Sequence, residues 1–275
     1  MKVIEINICP DLSTGMLMED ISRYVNTHDG NCVTASAPKY FDNRDSDYVI
    51  GSMFERHVHI AVGKKMGSET CLSWIATRRL INYIRDYNPD TIHLHNIHQY
   101  YLNFNVLFRY LTNLTIPIVW TFHDCWPYTG ACHHYIEEKC QKWMTECGKC
   151  VYLAKNHSFD CSKRMFLKKK KIIQKIKHLS IVTPSQWLAT EVSYSFLKDK
   201  DIHVISNGID VNTYSYRNSK LREKYNIGQK KIVLGVASHW TENKGLKDFV
   251  SLASVLDANY VIVLIGVEES FGCFD

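Results

Sequence analysis

The stretch TIHLHNIHQYYLNFNVLFRYLTNLTIPIVWTFHD, Thr91 to Asp124, decides how this chain is read. Thr91 to Leu94 predicts a strand, Tyr101 to Leu111 a helix, and Ile116 to Thr121 a second strand with Pro117 near its start. A strand, a helix and a strand with short turns make a βαβ unit. Upstream, Val3 to Ile8 reads as a first strand, Cys9 to Gly15 as a loop and Met16 to Val25 as a helix, with Ser13 and Thr14 as capping candidates. Cys32 to Ser36 reads as a strand, Tyr40 to His57 as loop-like, and Val58 to Val62 as another short strand. Ser68 to Tyr87 has helical spacing at Leu72, Ile75, Leu80, Ile81 and Ile84, and Asn88-Pro89-Asp90 stops it. The succession predicts an α/β fold built on an open, mostly parallel sheet. Ligands of such sheets gather beyond the carboxyl ends of the strands. The Gly15 loop, His93 to Asn96, and Phe122-His123-Asp124 all fall at those ends.

Downstream, residues 125–161 form an aromatic and cysteine-rich insertion. The basic run Lys168 to Lys171 opens an amphipathic helix and reads as a solvated face. Leu179 to Thr183 is a strand, a helix begins near Trp187, and Ile202 to Ile205 is a strand closed by Ser206-Asn207-Gly208-Ile209-Asp210. The domain boundary is expected near Pro184, giving domains 1–183 and 184–275. From Lys231 the chain reads as strand, turn, helix and strand, ending at Ile265. That is the opening of a second parallel unit, which is expected to be incomplete.

The chain has 275 residues, 45% of them hydrophobic and 22% charged, with a formal net charge of +5. This is a globular composition, and so modest a charge gives no ground for a nucleic-acid partner. Met1 runs straight into a short strand carrying an acid, Glu5, unlike a secretory leader. No apolar run approaches the roughly 20 residues of a membrane helix. The expectation is a cytoplasmic protein, with peripheral contact at the inner face of the membrane left open.

Of the ten cysteines, Cys132, Cys140, Cys147 and Cys150 end in a two-residue spacing that zinc sites use. His133, His134 and His157 are alternative ligands. A structural zinc, disulfides and unlinked thiols all stay open, the disulfides disfavoured without a secretory leader.

His123 is a candidate proton acceptor or hydrogen-bond donor, and the adjacent Asp124 could orient a polar partner. His93, His95 and His98 invite a metal reading, but no carboxylate accompanies them at a zinc-enzyme spacing. Asn96 is a loop-fixing or substrate-contacting amide. Ser238 to Gly245 lies between a strand and a helix, where Lys244 would stand near helix N–H groups that favour an anion. No dinucleotide fingerprint follows the first strand and no P-loop is present, so dehydrogenase and nucleotide-hydrolase functions lack support.

Taken in order, Leu12-Ser13-Thr14-Gly15, His93 to His98, Trp120 to Gly130, the cysteine insertion, Thr183 to Leu188, Ser206 to Asp210 and the Lys244-Gly245 turn resemble the retaining, two-domain glycosyltransferases of family 4. The bacterial surface-polysaccharide branch is the nearest likeness. The resemblance implies a GT-B arrangement of two Rossmann-like domains, the first on the acceptor side and the second holding a UDP- or GDP-linked sugar. It implies hexose transfer with retained anomeric configuration to a polysaccharide or lipid-linked acceptor, without a catalytic cofactor. His123 would contact the transferred sugar, and Gly15 would approach donor phosphate or acceptor. Lys244 would bind diphosphate, with Gly245 in its turn and His239 where the family usually has arginine. His95, Asn96, Asp124 and Asn207 complete the expected substrate-binding set, and any cysteine-bound zinc would be structural. Histidine cannot reproduce arginine's five-donor fork, Met16 replaces a commonly basic or small residue, and the family's paired glutamates are missing. A non-catalytic remnant or acceptor-binding module is therefore the competing reading.

Overall fold

The computed structural model describes residues 1–38, 46–237, 240 and 244–267. They divide into two units, Met1–Gly208 and Ile209–Asp275.

The first unit is built on a seven-stranded sheet of order β3-β2-β1-β4-β5-β6-β7. Its strands are β1 (Lys2–Asn7), β2 (Asn31–Ser36), β3 (Tyr48–Val49), β4 (Thr91–Leu94), β5 (Ile118–Thr121), β6 (Leu179–Thr183) and β7 (Asp201–Val204). Every neighbouring pair is parallel. The chain order reverses between β1 and β4. Connections leave those two strands in opposite directions, and sheets of this order take their ligands beyond the carboxyl ends at that point. This arrangement is the expected Rossmann-like α/β architecture.

The helices follow from the sequence in physical terms. In α4 (Phe104–Leu111) the Asn103 side chain accepts the Val106 N–H at 3.1 Å, and Phe104, Leu107, Phe108 and Leu111 are buried at helical spacing. That stripe packs on the sheet through Phe108 against Trp120, each side chain contributing roughly 1.5–3 kcal/mol. Helix α3 (Trp74–Tyr87) begins later than the expected Ser68, leaving Leu72 outside it and Ile75 exposed, and buries Leu80, Ile81 and Ile84 in the same way. Ser185 caps α7 (Gln186–Tyr194) by accepting the Leu188 N–H.

Several expectations need correcting. Helix α1 spans Leu12–Thr27, so Ser13 and Thr14 lie inside it rather than capping it, and Asp11 precedes it. Val58 to Val62 is not a strand but the middle of α2 (Met53–Met66). There Ser52 and Glu55 form a reciprocal capping box and Gly67 ends the helix in the left-handed conformation, so much of the supposed loop from Tyr40 to His57 is ordered by α2 and β3. Residues 40–45 of that stretch lie outside the described residues.

The basic run does not open its helix. It lies in the second half of α6 (Ser162–Ile173), the helix that follows the short α5 (Val151–Asn156). Lys170 and Lys171 are exposed, but Lys169 is fully buried. Its ammonium donates to the carbonyls of Trp126 at 2.6 Å and Thr129 at 3.0 Å and lies 3.2 Å from the centre of the Trp126 ring. Burial, the largest influence, brings its pKa down to about 7. The insertion is thus pinned from beneath by a lysine, around a buried cluster of Tyr128, Tyr135 and Trp143.

The boundary expected at 183/184 moves to 208/209. The reason is β7, which pairs with β6 over Ser180 to Thr183 and so completes the first sheet. The second unit contains the short helix α8 (Leu221–Lys224), then β8 (Lys231–Val236), α9 (Leu246–Ala253) and β9 (Tyr260–Ile265). Strands β8 and β9 pair in parallel from Lys231↔Tyr260 to Val236↔Ile265, as the strand–helix–strand reading expects. Replacing Lys169 by methionine leaves two buried carbonyls without a donor. We expect Lys169→Met to cost about 2–4 kcal/mol, read as a lower urea midpoint.

Candidate functional site

Three strands of the first unit deliver polar side chains to one place. Glu5 on β1 and His93 on β4 are register partners. The Glu5 carboxylate has no exposure and is gripped by two imidazoles, His93 Nδ1 at 3.0 Å and His95 Nε2 at 2.7 Å. His93 Nε2 lies 2.8 Å from the Thr121 hydroxyl of β5. The other nitrogen of His95 lies 2.9 Å from His123 Nε2, with the two rings stacked. Glu5, His95 and His123 therefore form a continuous chain from the sheet interior to the end of β5.

Charge settles the proton positions along this chain. Burial works to raise the Glu5 pKa, but His93 and His95 outweigh it and hold the carboxyl below its ordinary value. An ionised Glu5 only accepts, so His95 Nε2 carries a proton. Burial lowers the His95 pKa against the opposing pull of Glu5. The ring is neutral and its Nδ1 is a lone pair. His123 must then donate from Nε2. Burial, then His95, bring the His123 pKa down to about 4, so His123 is neutral too and its Nδ1 is left as an acceptor.

A second polar group fixes the loops. The buried Asn7 side chain accepts the backbone N–H groups of Ile8 at 2.9 Å and Asn96 at 3.2 Å, and donates to the Cys9 carbonyl at 3.1 Å and to Thr14 Oγ1 at 3.2 Å. Tyr101 O–H donates to the Asn96 carbonyl at 2.8 Å, and Trp120 Nε1–H to that of His95 at 2.9 Å. Gly15 is buried beneath this loop. A Cβ there would lie 2.5 Å from the Pro10 carbonyl carbon and 2.7 Å from the Cys9 oxygen, so close backbone approach accounts for the glycine.

Asp124 turns the other way from His123. Its carboxylate accepts from His98 Nε2 at 2.9 Å and from the Trp126 N–H at 2.8 Å. Burial would raise its pKa, but His98 outweighs this and brings it down to about 2. His98 also faces Glu69, from the α2–α3 connection, which His133 of the insertion contacts from its other side. Burial alone would lower the His98 pKa, but Asp124 and Glu69 prevail and push it up to about 9.

The structure thus brings together His95, Asn96, His123 and Asp124, with Gly15 joined to Asn96 through Asn7. Asn207 is exposed beyond β7. Lys244 and Gly245 belong to the second unit, where Gly245, at φ +76°, leads into α9; His239 lies outside the described residues. Glu5, Asn7 and Glu69 complete the polar framework without having been singled out as site residues. The readable signal for Glu5 was an acid inside an apolar strand.

The expected cysteine set fares differently. Among the described residues, Glu5–His93–His95 and Glu69–His98–His133 are the groups of three whose ligand atoms lie within 4.8 Å of one another. Cys132, Cys140, Cys147 and Cys150 form no such group, and burial pushes the Cys132 thiol up to about 12 and the Cys147 thiol up to about 11. Zinc on these four sulfurs is not supported by the distances between them.

The Glycosyltransferase Family 4 model matches residues 32–213. The chain belongs to this family. It is 29% identical over 139 residues to the Escherichia coli (strain K12) protein named "Putative colanic acid biosynthesis glycosyl transferase WcaC", covering 47% of this chain and 33% of that one. The crystal structure of Anabaena Alr3699/HepE in complex with UDP and glucose aligns with 96% of this chain and 60% of its own, with a TM-score of 0.48 and 13% identity. This chain therefore spans a third of the curated relative's length and 60% of that solved chain.

Two outcomes test the site. Glu5→Gln puts an amide N–H against one of two imidazole donors, and we expect a loss of about 2 kcal/mol, with 15N shifts of His95 and His123 that no longer report single tautomers. Separately, His123 has a pKa of about 4 in the fold against an ordinary 6.5. The unfolded chain then binds the extra proton between those values, and stability falls as pH falls. The melting temperature should drop from pH 6.5 towards 4, with a shallower slope in His123→Asn.

Proposed function

We propose that this glycosyltransferase moves a hexose from a UDP- or GDP-linked donor to a polysaccharide or lipid-linked acceptor, with retention of anomeric configuration. The observation that carries the reading is the neutral, orientated His123 at the strand end of a family 4 chain. The sugar C1–O bond to diphosphate breaks and the leaving group takes the electron pair. The acceptor hydroxyl bonds to C1 on the same face, and its proton passes to the departing diphosphate oxygen. Positive charge builds on the sugar in that transition state. His123 Nδ1, an acceptor held in place by His95 and Glu5, would take a hydrogen bond from a sugar hydroxyl and so position the ring.

The first unit would present the acceptor and the second would hold the donor. Lys244, just ahead of α9, has the charge for a diphosphate, and the helix start adds N–H groups of the same sign. Asn96 and Asn207 would supply amide contacts to substrate. Transfer should be measured with UDP- and GDP-sugars against lipid-linked and polysaccharide acceptors. His123→Asn is expected to lower turnover by about 100-fold or more. Acceptor binding with no transfer and no nucleotide-sugar binding would favour the acceptor-module reading instead.

The site of action would be the inner membrane face. Among the described residues no helix is long and apolar enough to span a bilayer. Phe54, Val58, Val62 and Met66, each four residues apart on α2, are nevertheless exposed together, and Lys64 and Lys65 follow in its last turn. An apolar stripe with flanking lysines suits an anionic interface. Cosedimentation with phosphatidylglycerol vesicles should be clear for the native chain and reduced at least severalfold in Val58→Asp. Equal binding by both would count against membrane docking through α2.

A further inference from the structure

The ring of side chains behind Asp124 has an arrangement that transfer chemistry does not require. Glu69 Oε2 lies 3.2 Å from His133 Nε2 and 3.4 Å from His98 Nδ1. On the far side of both imidazoles stands Asp124, with Oδ2 2.9 Å from His98 Nε2 and 3.8 Å from His133 Nδ1. The three atoms Glu69 Oε2, His98 Nδ1 and His133 Nε2 share one 4.8 Å neighbourhood. His98 Nδ1 is buried and makes no hydrogen bond, despite facing Glu69.

His133 Nε2 is within hydrogen-bond reach of Glu69 Oε2, which also accepts the Gln99 N–H at 3.3 Å, but the unbonded His98 Nδ1 suits a metal better than a proton. Ligands about 2.0–2.1 Å from a tetrahedral zinc lie about 3.3 Å apart, between the two separations found here. At 3.4 Å the His98–Glu69 approach is long for a hydrogen bond. Asp124 occupies the position of the outer carboxylate that orients zinc-bound histidines, because it accepts the N–H opposite the ligating nitrogen of His98. A bound ion would displace the proton that Asp124 and Glu69 hold on His98, and the two carboxylates and two imidazoles would then carry a net charge of −2, which a divalent ion neutralises.

We infer that Glu69, His98 and His133 form a binding site for a divalent transition ion of the zinc type, buttressed by Asp124. The ion would fasten the α2–α3 connection, the β4–α4 loop and the cysteine-rich insertion to one point beside His123. Its role is structural. The cysteines are a separate matter, and the test separates them.

The full chain would be stripped with a chelator, reloaded with zinc or Co2+ and dialysed. We expect about one ion per chain by mass spectrometry. The Co2+ form should show the visible bands of a tetrahedral nitrogen–oxygen site without a sulfur-to-metal charge-transfer band. Chelation should lower the melting temperature. Glu69→Gln and His133→Asn should each weaken retention at least tenfold, while Cys140→Ser and Cys150→Ser retain the ion. The inference is overturned if the native chain holds no ion, if the Co2+ spectrum shows thiolate ligation alone, or if loss follows the cysteine variants and not Glu69 or His133. The Co2+ spectrum of the native chain decides the ligand type even where a variant fails to fold.

Discussion

A carboxylate cut off from water must be matched by donors, or it gives up its charge. Glu5 sits on β1 with no exposure and is matched by His93 and His95 on the neighbouring side of the sheet. Both contacts cross from β1 towards β4, the two strands between which the chain order reverses. The same contacts that satisfy Glu5 fix which nitrogen of His95 faces His123. Sheet register, tautomer and the orientation of His123 are therefore consequences of one buried charge. A shift of β1 by one residue would turn Glu5 to the opposite face and leave both imidazoles without an acceptor.

Around that charge the structure layers further polar groups, each drawn from a different segment. Asn7 links the loop after β1 to the loop after β4. Asp124 links β5 to the β4 loop and to the insertion. Lys169 then holds the underside of the insertion. Such networks stabilise where their members are satisfied, as at Glu5 and Asn7, whereas His98 Nδ1 is left without a hydrogen bond. Apolar packing supplies the cohesion, while these polar pairings decide where each loop stops.

The sequence was readable where local rules and tertiary packing agree. Thr91–Leu94 and Leu179–Thr183 emerge as strands with the bounds expected of them, since short apolar runs between turn signals have few alternatives. His123, Asp124, His95 and Asn96 were legible because strand ends in parallel sheets collect polar residues. Val58, Ile60 and Val62 fall on alternate positions, separated by His59 and Ala61, and so mimic a strand inside helix α2. The capping box Ser52–Glu55 was the overlooked signal. Lys169 looked like its solvated neighbours because nothing in a lysine run says which member will find two carbonyls. The Glu5–His95 and Glu69–His133 pairings join residues far apart in the chain, and no local spacing encodes them.

Lys169 carries one more consequence. Its amine is enclosed under the insertion and has a pKa near 7, so much of it is an uncharged nucleophile at neutral pH. Acylating reagents can reach it only when the insertion lifts from α6. Its labelling rate, set against that of exposed Lys170 on the same helix, would then count those openings directly. The protein carries a built-in clock for the breathing of the segment that follows the His123 strand end.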